Sequence, residues 1–316
     1  MSLTKDALTF LLEEIGDQYA NGIHLLDSME YQQLLASGIS WLELFSIIED
    51  FDDFKKRTKL RELSEVYTQD QIKLNFNHLD LEQQNEPHIL AELYFYFGLL
   101  GDPLLDKEQY FQSIQLLAEL YEQKLHQKGS SLNQIHNKLY KPKLSVFGKK
   151  NIREVAELCI ETLNELCFED HMLKPESSSF FNMDSHRVDK LLTASAKGIP
   201  LSLSALYVII AQKSGLPVYG VNMPRHFLVK WQYQGVEFFI DPYNYGEVIR
   251  KESIYQLLSQ NQVPVSPKSM EPTTYRIMIK RALTNLIPLF KKEPSTEKSM
   301  FIQSLIKLLD AKLDYQ

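Results

Sequence analysis

The 316 residues carry 34 Lys+Arg against 41 Asp+Glu, a formal charge of −7, with 44% hydrophobic and 24% charged residues. This is the make-up of a globular chain with room for a sizeable core, and no apolar run approaches the ~20 residues of a membrane-spanning helix. Residues 1–100 hold 7 Lys+Arg against 18 Asp+Glu, the remainder 27 against 23; so acidic a first third argues against nucleic acid as a general partner.

The N-terminus, Met1-Ser-Leu-Thr-Lys-Asp with Glu13 and Glu14 following, lacks the basic-then-apolar layout of a signal peptide, and a cytoplasmic setting is expected. Residues 1–85 read as short amphipathic helices. Ser40-Trp-Leu-Glu43 is a capping box opening an apolar helix, and Lys55–Arg61 is a charged, solvated helix face. His88–Phe97 reads as a strongly apolar helix ending at Gly98–Gly101. Tyr110–Leu125 places Phe111, Ile114, Leu117, Leu120 and Tyr121 at helical spacing. Lys128–Lys150 contains at least one loop. Its six basic residues between Lys138 and Arg153 are flanked by few stacking aromatics, a weak nucleic-acid signal. Helices are expected over Ile152–Phe168 and Val188–Ala196, with a loop at Pro175–Ser179 between them.

The two cysteines, Cys159 and Cys167, fall in one predicted helix about 12 Å apart at its 1.5 Å rise per residue, too far for a disulfide. They read as small core residues. The eight histidines are scattered, so neither a metal nor a cofactor is expected.

From Gly198 the pattern changes. Pro200 suits the first turn of a helix, and Gly215 suits its left-handed C-terminal cap. Pro217–Asn222, His226–Tyr233 and Val236–Asp241 are β-rich, with Gln234-Gly235 as a two-residue hairpin turn. Such a turn pairs Tyr233 with Val236 and makes Asp241 a diagonal neighbour of His226, about 7–8 Å apart at the backbone. The pair is the base-plus-orienter half of a catalytic triad, or a structural bond on a polar hairpin face; spacing alone admits both. Helices follow at Lys251–Ser259, Thr274–Phe290 with a break at Pro288, and Thr296–Leu313, the last two able to pack antiparallel.

Four motifs in this region, Lys197-Gly-Ile-Pro-Leu-Ser-Leu-Ser, Gly215-Leu-Pro-Val-Tyr-Gly-Val-Asn, Pro224-Arg-His-Phe-Leu-Val-Lys and Phe239-Ile-Asp-Pro-Tyr-Asn-Tyr-Gly, resemble the SirB-type transglutaminase-like family. The likeness extends more weakly to Gly101-Asp-Pro-Leu-Leu-Asp and to Arg281-Ala-Leu-Thr-Asn-Leu, and leaves residues 1–85 uncovered. It implies a core helix packed on a small antiparallel sheet, the papain-like arrangement, with a helical C-terminal tail. In thiol enzymes of this fold a cysteine opens the core helix; here that place falls on Pro200, with the histidine at His226 and the aspartate at Asp241. Ser202, about 200° around the helix from Pro200, and Ser204, about 40° away but a turn further down, are the alternative nucleophiles, with an activated water as a third route. Gly198, Pro200, Asn222, Arg225, Tyr243 and Asn244 are the binding residues the resemblance implies. Arg225 stands where relatives carry glycine, and Tyr243-Asn-Tyr-Gly replaces Phe-Asn-Gly-Gly, which narrows the cleft.

The expectation is a predominantly helical α+β protein with three parts: an acidic helical region at 1–85, a transglutaminase-like core at 86–250 and a helical extension at 251–316. Its expected role is a non-catalytic module for a protein or peptide, away from nucleic acid and membrane. The alternative is a hydrolase or acyl transferase built on the His226–Asp241 dyad.

Overall fold

The computed structural model describes residues 4–20, 28–51, 54–140, 146–177, 182–224, 226–260, 267–290 and 296–311. The chain forms two compact units, one of Met1–Leu79 with Tyr96–Gln109 and one of Asp80–Phe95 with Tyr110–Gln316.

The first unit is built on α1 (Lys5–Ala20), α2 (Met29–Ala36), α3 (Trp41–Glu49) and α4 (Phe54–His78). The Ser40 hydroxyl accepts from the Glu43 amide while the Glu43 carboxylate accepts from the Ser40 amide, the reciprocal cap read from the sequence. The expectation of short helices over this region fails at α4, which runs for 25 residues. Its polar faces hide a buried stripe of Leu60, Leu63 and Tyr67, which packs with Leu12, Ile15, Leu34, Trp41 and Leu44. Tertiary contact, rather than a strong moment of its own, sustains the length.

One unit boundary follows α4, and the others fall within α5 (Pro87–Leu99) and α6 (Lys107–Gln127). The second unit continues with α7 (Leu132–Tyr140) and α8 (Val146–Asn164), which widens into a π turn over Glu165–Asp170. Strand β1 (Lys174–Pro175) pairs in parallel with β2 (Lys197–Gly198); between them come a 3₁₀ turn at Met183–His186 and α9 (Val188–Leu191). The helix expected over Val188–Ala196 thus stops early, and Ser195 turns the chain with a φ of 65° into the strand.

Helix α10 (Pro200–Lys213) is buried at every residue from Leu201 to Gln212. A helix apolar all round belongs inside a core. Strands β3 (Val218–Met223), β4 (His226–Tyr233), β5 (Val236–Asp241) and β6 (Glu247–Ile249) form an antiparallel sheet in that order, and α10 packs on β3 and β4. Tyr233 pairs with Val236, and Gln234 and Gly235 take φ of 46° and 77°, as a two-residue turn with both residues left-handed requires. Gly215 caps α10 with a φ of 72°.

Helices α11 (Lys251–Gln260), α12 (Tyr275–Phe290) and α13 (Thr296–Ala311) complete the chain, α12 and α13 as an antiparallel pair. The break expected at Pro288 does not occur: α12 passes through it to Phe290. So near a helix end, a proline removes one hydrogen bond and has little helix left to disturb. The architecture is α+β and predominantly helical, with a helical C-terminal region.

The one amide of α10, Gln212, ties three segments together. Its Nε2 donates to the carbonyls of Gln84 (2.5 Å) and Val218 (2.7 Å), and its Oε1 accepts from the Tyr275 hydroxyl (2.7 Å). Gln212→Ala strands these buried partners and is expected to cost about 1–3 kcal/mol per group left unsatisfied, measured by urea denaturation. Unchanged stability would show that water replaces the amide.

Candidate functional site

The site begins where β2 hands the chain to α10. The Glu176 amide donates to Gly198 O (2.9 Å) and the Ile199 amide to Ser185 O (3.1 Å), which fixes the entry. A Cβ on Gly198 would lie 2.9 Å from both Leu203 and Ser202 side chains, so only glycine fits. Pro200 occupies the first turn of α10, where its missing N–H costs nothing.

Neither serine is presented as a nucleophile. Ser202 is fully buried and its Oγ donates to Ser185 O (2.6 Å) and Ile199 O (3.2 Å). The Ser204 Oγ lies 3.5 Å from Phe227 O of β4. Cys159 and Cys167 are free, buried core residues on α8 and its π turn, and burial pushes both thiols up to about 12. A thiol so far above neutral pH is inert.

His226 and Asp241 do meet. The imidazole Nε2 lies 2.8 Å from Asp241 Oδ2. A carboxylate only accepts, so Nε2 carries the proton in the neutral ring and Nδ1 is left as an acceptor. Nδ1 has no hydrogen-bond partner among the described residues, and the ring is 21% exposed against 1% for Asp241. The carboxylate is further held by the Tyr243 amide on Oδ1 (3.0 Å) and Asn244 Nδ2 on Oδ2 (2.8 Å). Three donors on a buried carboxylate make a preorganised orienter.

The expected binding residues are placed differently from one another. Tyr243 donates its hydroxyl to Glu176 O (2.8 Å) and Asn244 is spent on Asp241, so both build the site. The Asn222 Oδ1 accepts from Arg281 Nη1 at 2.5 Å. Arg225 lies outside the described residues. Two groups that local pattern did not single out complete the frame. Asn164 donates to Gly246 O (2.9 Å) and accepts from Tyr207 OH (3.0 Å), pinning the turn after β5 to α8 and α10. Arg281 Nη1 also donates to Met223 O (2.7 Å) and His226 O (2.9 Å), gripping both ends of the turn that carries His226. Among the described residues no three His, Cys, Asp or Glu side chains group as a metal site, and no helix is long and apolar enough to cross a membrane.

A core helix on an antiparallel sheet, with an oriented histidine at the start of one strand and its aspartate at the end of the next, defines a transglutaminase-like protein. Residues 108–284, more than half of the chain, match the transglutaminase-like superfamily, and the chain belongs to it. It is 24% identical to mouse F-box only protein 21 over 164 residues, which cover 49% of this chain and 25% of that protein; the human F-box only protein 21 gives the same identity and coverage. A UPF0162 protein of Vibrio cholerae is 24% identical over 107 residues, 34% of this chain and 39% of the relative. The chain thus spans about a quarter of the F-box relatives it matches. No solved structure matches it.

Two outcomes follow from this geometry. Gly246→Ala puts a Cβ 2.0 Å from Asn164 Oδ1 at a φ of 78°, and should cost more than the ~1–2 kcal/mol of the left-handed backbone alone, read as a fall in denaturation midpoint. Both thiols should resist a disulfide reagent in the native protein at pH 8 and react fully once unfolded; prompt native reaction would place a cysteine at the surface.

Proposed function

We propose that this chain is a non-catalytic, SirB-type member of its superfamily that holds a protein or peptide through the cleft around His226 and Asp241. The observation that supports the reading is Pro200 on the first turn of α10, the place on which the family's cysteine falls when the spacing from Gly198 to Gly215 is carried over. Proline has no nucleophile, and the nearby hydroxyls of Ser202 and Ser204 are committed to backbone carbonyls. What survives of the catalytic layout is a polar, oriented imidazole. That is a recognition group, able to accept at Nδ1 when neutral and to donate there when protonated. The relatives bearing an F-box name support a setting among protein partners, and a cytoplasmic location belongs to the same reading.

One feature favours a second reading. With Nε2 held by Asp241 and Nδ1 open, His226 has the disposition of a general base, which would activate a water rather than a side chain.

Purified full-length protein separates the two. Offered activated esters, glutamine-containing peptides with amine acceptors, and peptide amides, it is expected to show no turnover above that of His226→Ala. Peptides selected on the immobilised chain from a random library are expected to bind about tenfold more weakly to His226→Ala, about 1.4 kcal/mol. Turnover that His226→Ala abolishes would overturn the non-catalytic reading, and selected peptides indifferent to His226 would overturn the assignment of the cleft.

A further inference from the structure

Among the described residues three lysine or arginine side chains are fully buried, and each has a carboxylate. Arg187 Nη2 lies 2.6 Å from Asp189 Oδ2; Lys230 Nζ lies 3.0 Å from Glu237 and 3.6 Å from Glu271; Arg276 pairs with Glu82. Electrostatics demands as much, because a cation withdrawn from water without a counter-charge is expensive.

Arg281 departs from this rule. Its guanidinium is half-buried, 5.6 Å from the centre of the Phe227 ring, and burial lowers its pKa from the ordinary arginine value. Its polar partners are neutral oxygens only, those of Asn222, Met223 and His226, and all three fall on Nη1. Nε and Nη2 make no hydrogen bond among the described residues, and neither is a sealed, unsatisfied atom. Among the described residues the cation is therefore anchored by one nitrogen, lacks a counter-charge, and keeps one two-donor edge unbonded.

We propose that Arg281 is an anion-recognition site, taking a carboxylate of a bound peptide on the Nε–Nη2 edge of its guanidinium beside the turn that carries His226. A carboxylate matches that edge oxygen for nitrogen and brings one negative charge to one positive charge. A phosphate would bring up to two charges to a place with one cation among the described residues, leaving part of its charge desolvated and unpaired. The proposal rests on the peptide-binding reading only for where the carboxylate comes from.

The test uses the full chain labelled with ¹⁵N in its arginines, following each Nε–H signal as sodium acetate replaces sodium chloride at constant ionic strength. The Arg281 signal, identified by its loss in Arg281→Lys, is expected to shift saturably, while that of Arg276, already paired, stays put. Arg281→Lys, which offers a point charge in place of the fork, should bind acetate several-fold more weakly. If that variant fails to fold, signal assignment through neighbouring backbone amides lets the wild-type titration decide alone. No saturable shift at Arg281 overturns the site, and saturation by inorganic phosphate at lower concentration than acetate overturns the carboxylate assignment. A short polyalanine peptide and its C-terminal amide then separate this inference from the function on which it rests. Acetate saturating Arg281 with neither peptide binding the cleft upholds the site and sinks the peptide reading. Peptides that move His226 signals but leave Arg281 unmoved do the reverse.

Discussion

Everything in the larger unit answers to the burial of α10. A helix with no solvent face cannot send a stray polar group to water, so each one must be met from a neighbouring element. Ser202 is met by the 3₁₀ turn at Ser185, Ser204 by β4, Tyr207 by Asn164 of α8, and Gln212 by Gln84, Val218 and Tyr275. Segments distant in sequence are thereby set in register around one cylinder. The sheet lies against it because α10 offers β3 and β4 a surface that is apolar save for Ser204 and Gln212.

The site inherits its rigidity from the same arrangement. Asp241 sits at the end of β5, where the chain enters the 3₁₀ turn Pro242–Asn244 that packs on α10, and it gathers His226, the Tyr243 amide and Asn244. The turn is clamped at one side by Tyr243 on Glu176 and at the other by Asn164 on Gly246. On the far side, Arg281 fastens Met223 and His226 across the β3–β4 connection. The imidazole is thus held from both ends of the strand pair. Preorganisation of this kind serves binding as well as catalysis, because it lowers the ordering cost that a ligand must meet.

The chemistry that the fold accommodates elsewhere depends on a nucleophile at the helix N-terminus, where the dipole favours an anion. In this chain Pro200 opens α10, and the two thiols lie in the core with their pKa raised rather than lowered. The Arg281 guanidinium holds the His226 carbonyl, and its hydrogen-bond partners among the described residues are all neutral.

Much of this was legible in the sequence wherever the cause is local. The hairpin followed from Gln234-Gly235, whose turn chemistry sets the register, and the period of two along β4 and β5 then brought His226 and Asp241 together. Ser40 and Glu43 announced their cap, Gly215 its helix end, and Pro200 the first turn of that helix. Other features needed the folded chain. The parallel pair Lys174–Pro175 with Lys197–Gly198 is too short to leave a pattern. The length of α4 and the continuity of α12 through Pro288 are decided by packing and by position within the helix. Arg281 meets His226 across 55 residues and Asn164 meets Gly246 across 82. Such partners share no periodicity; they are chosen by which surfaces the core brings together. Composition and local spacing therefore determined the elements and the His226–Asp241 pair. Only tertiary structure decided which side chains hold that pair, because burial and long-range contact are properties of the fold and not of any stretch of chain.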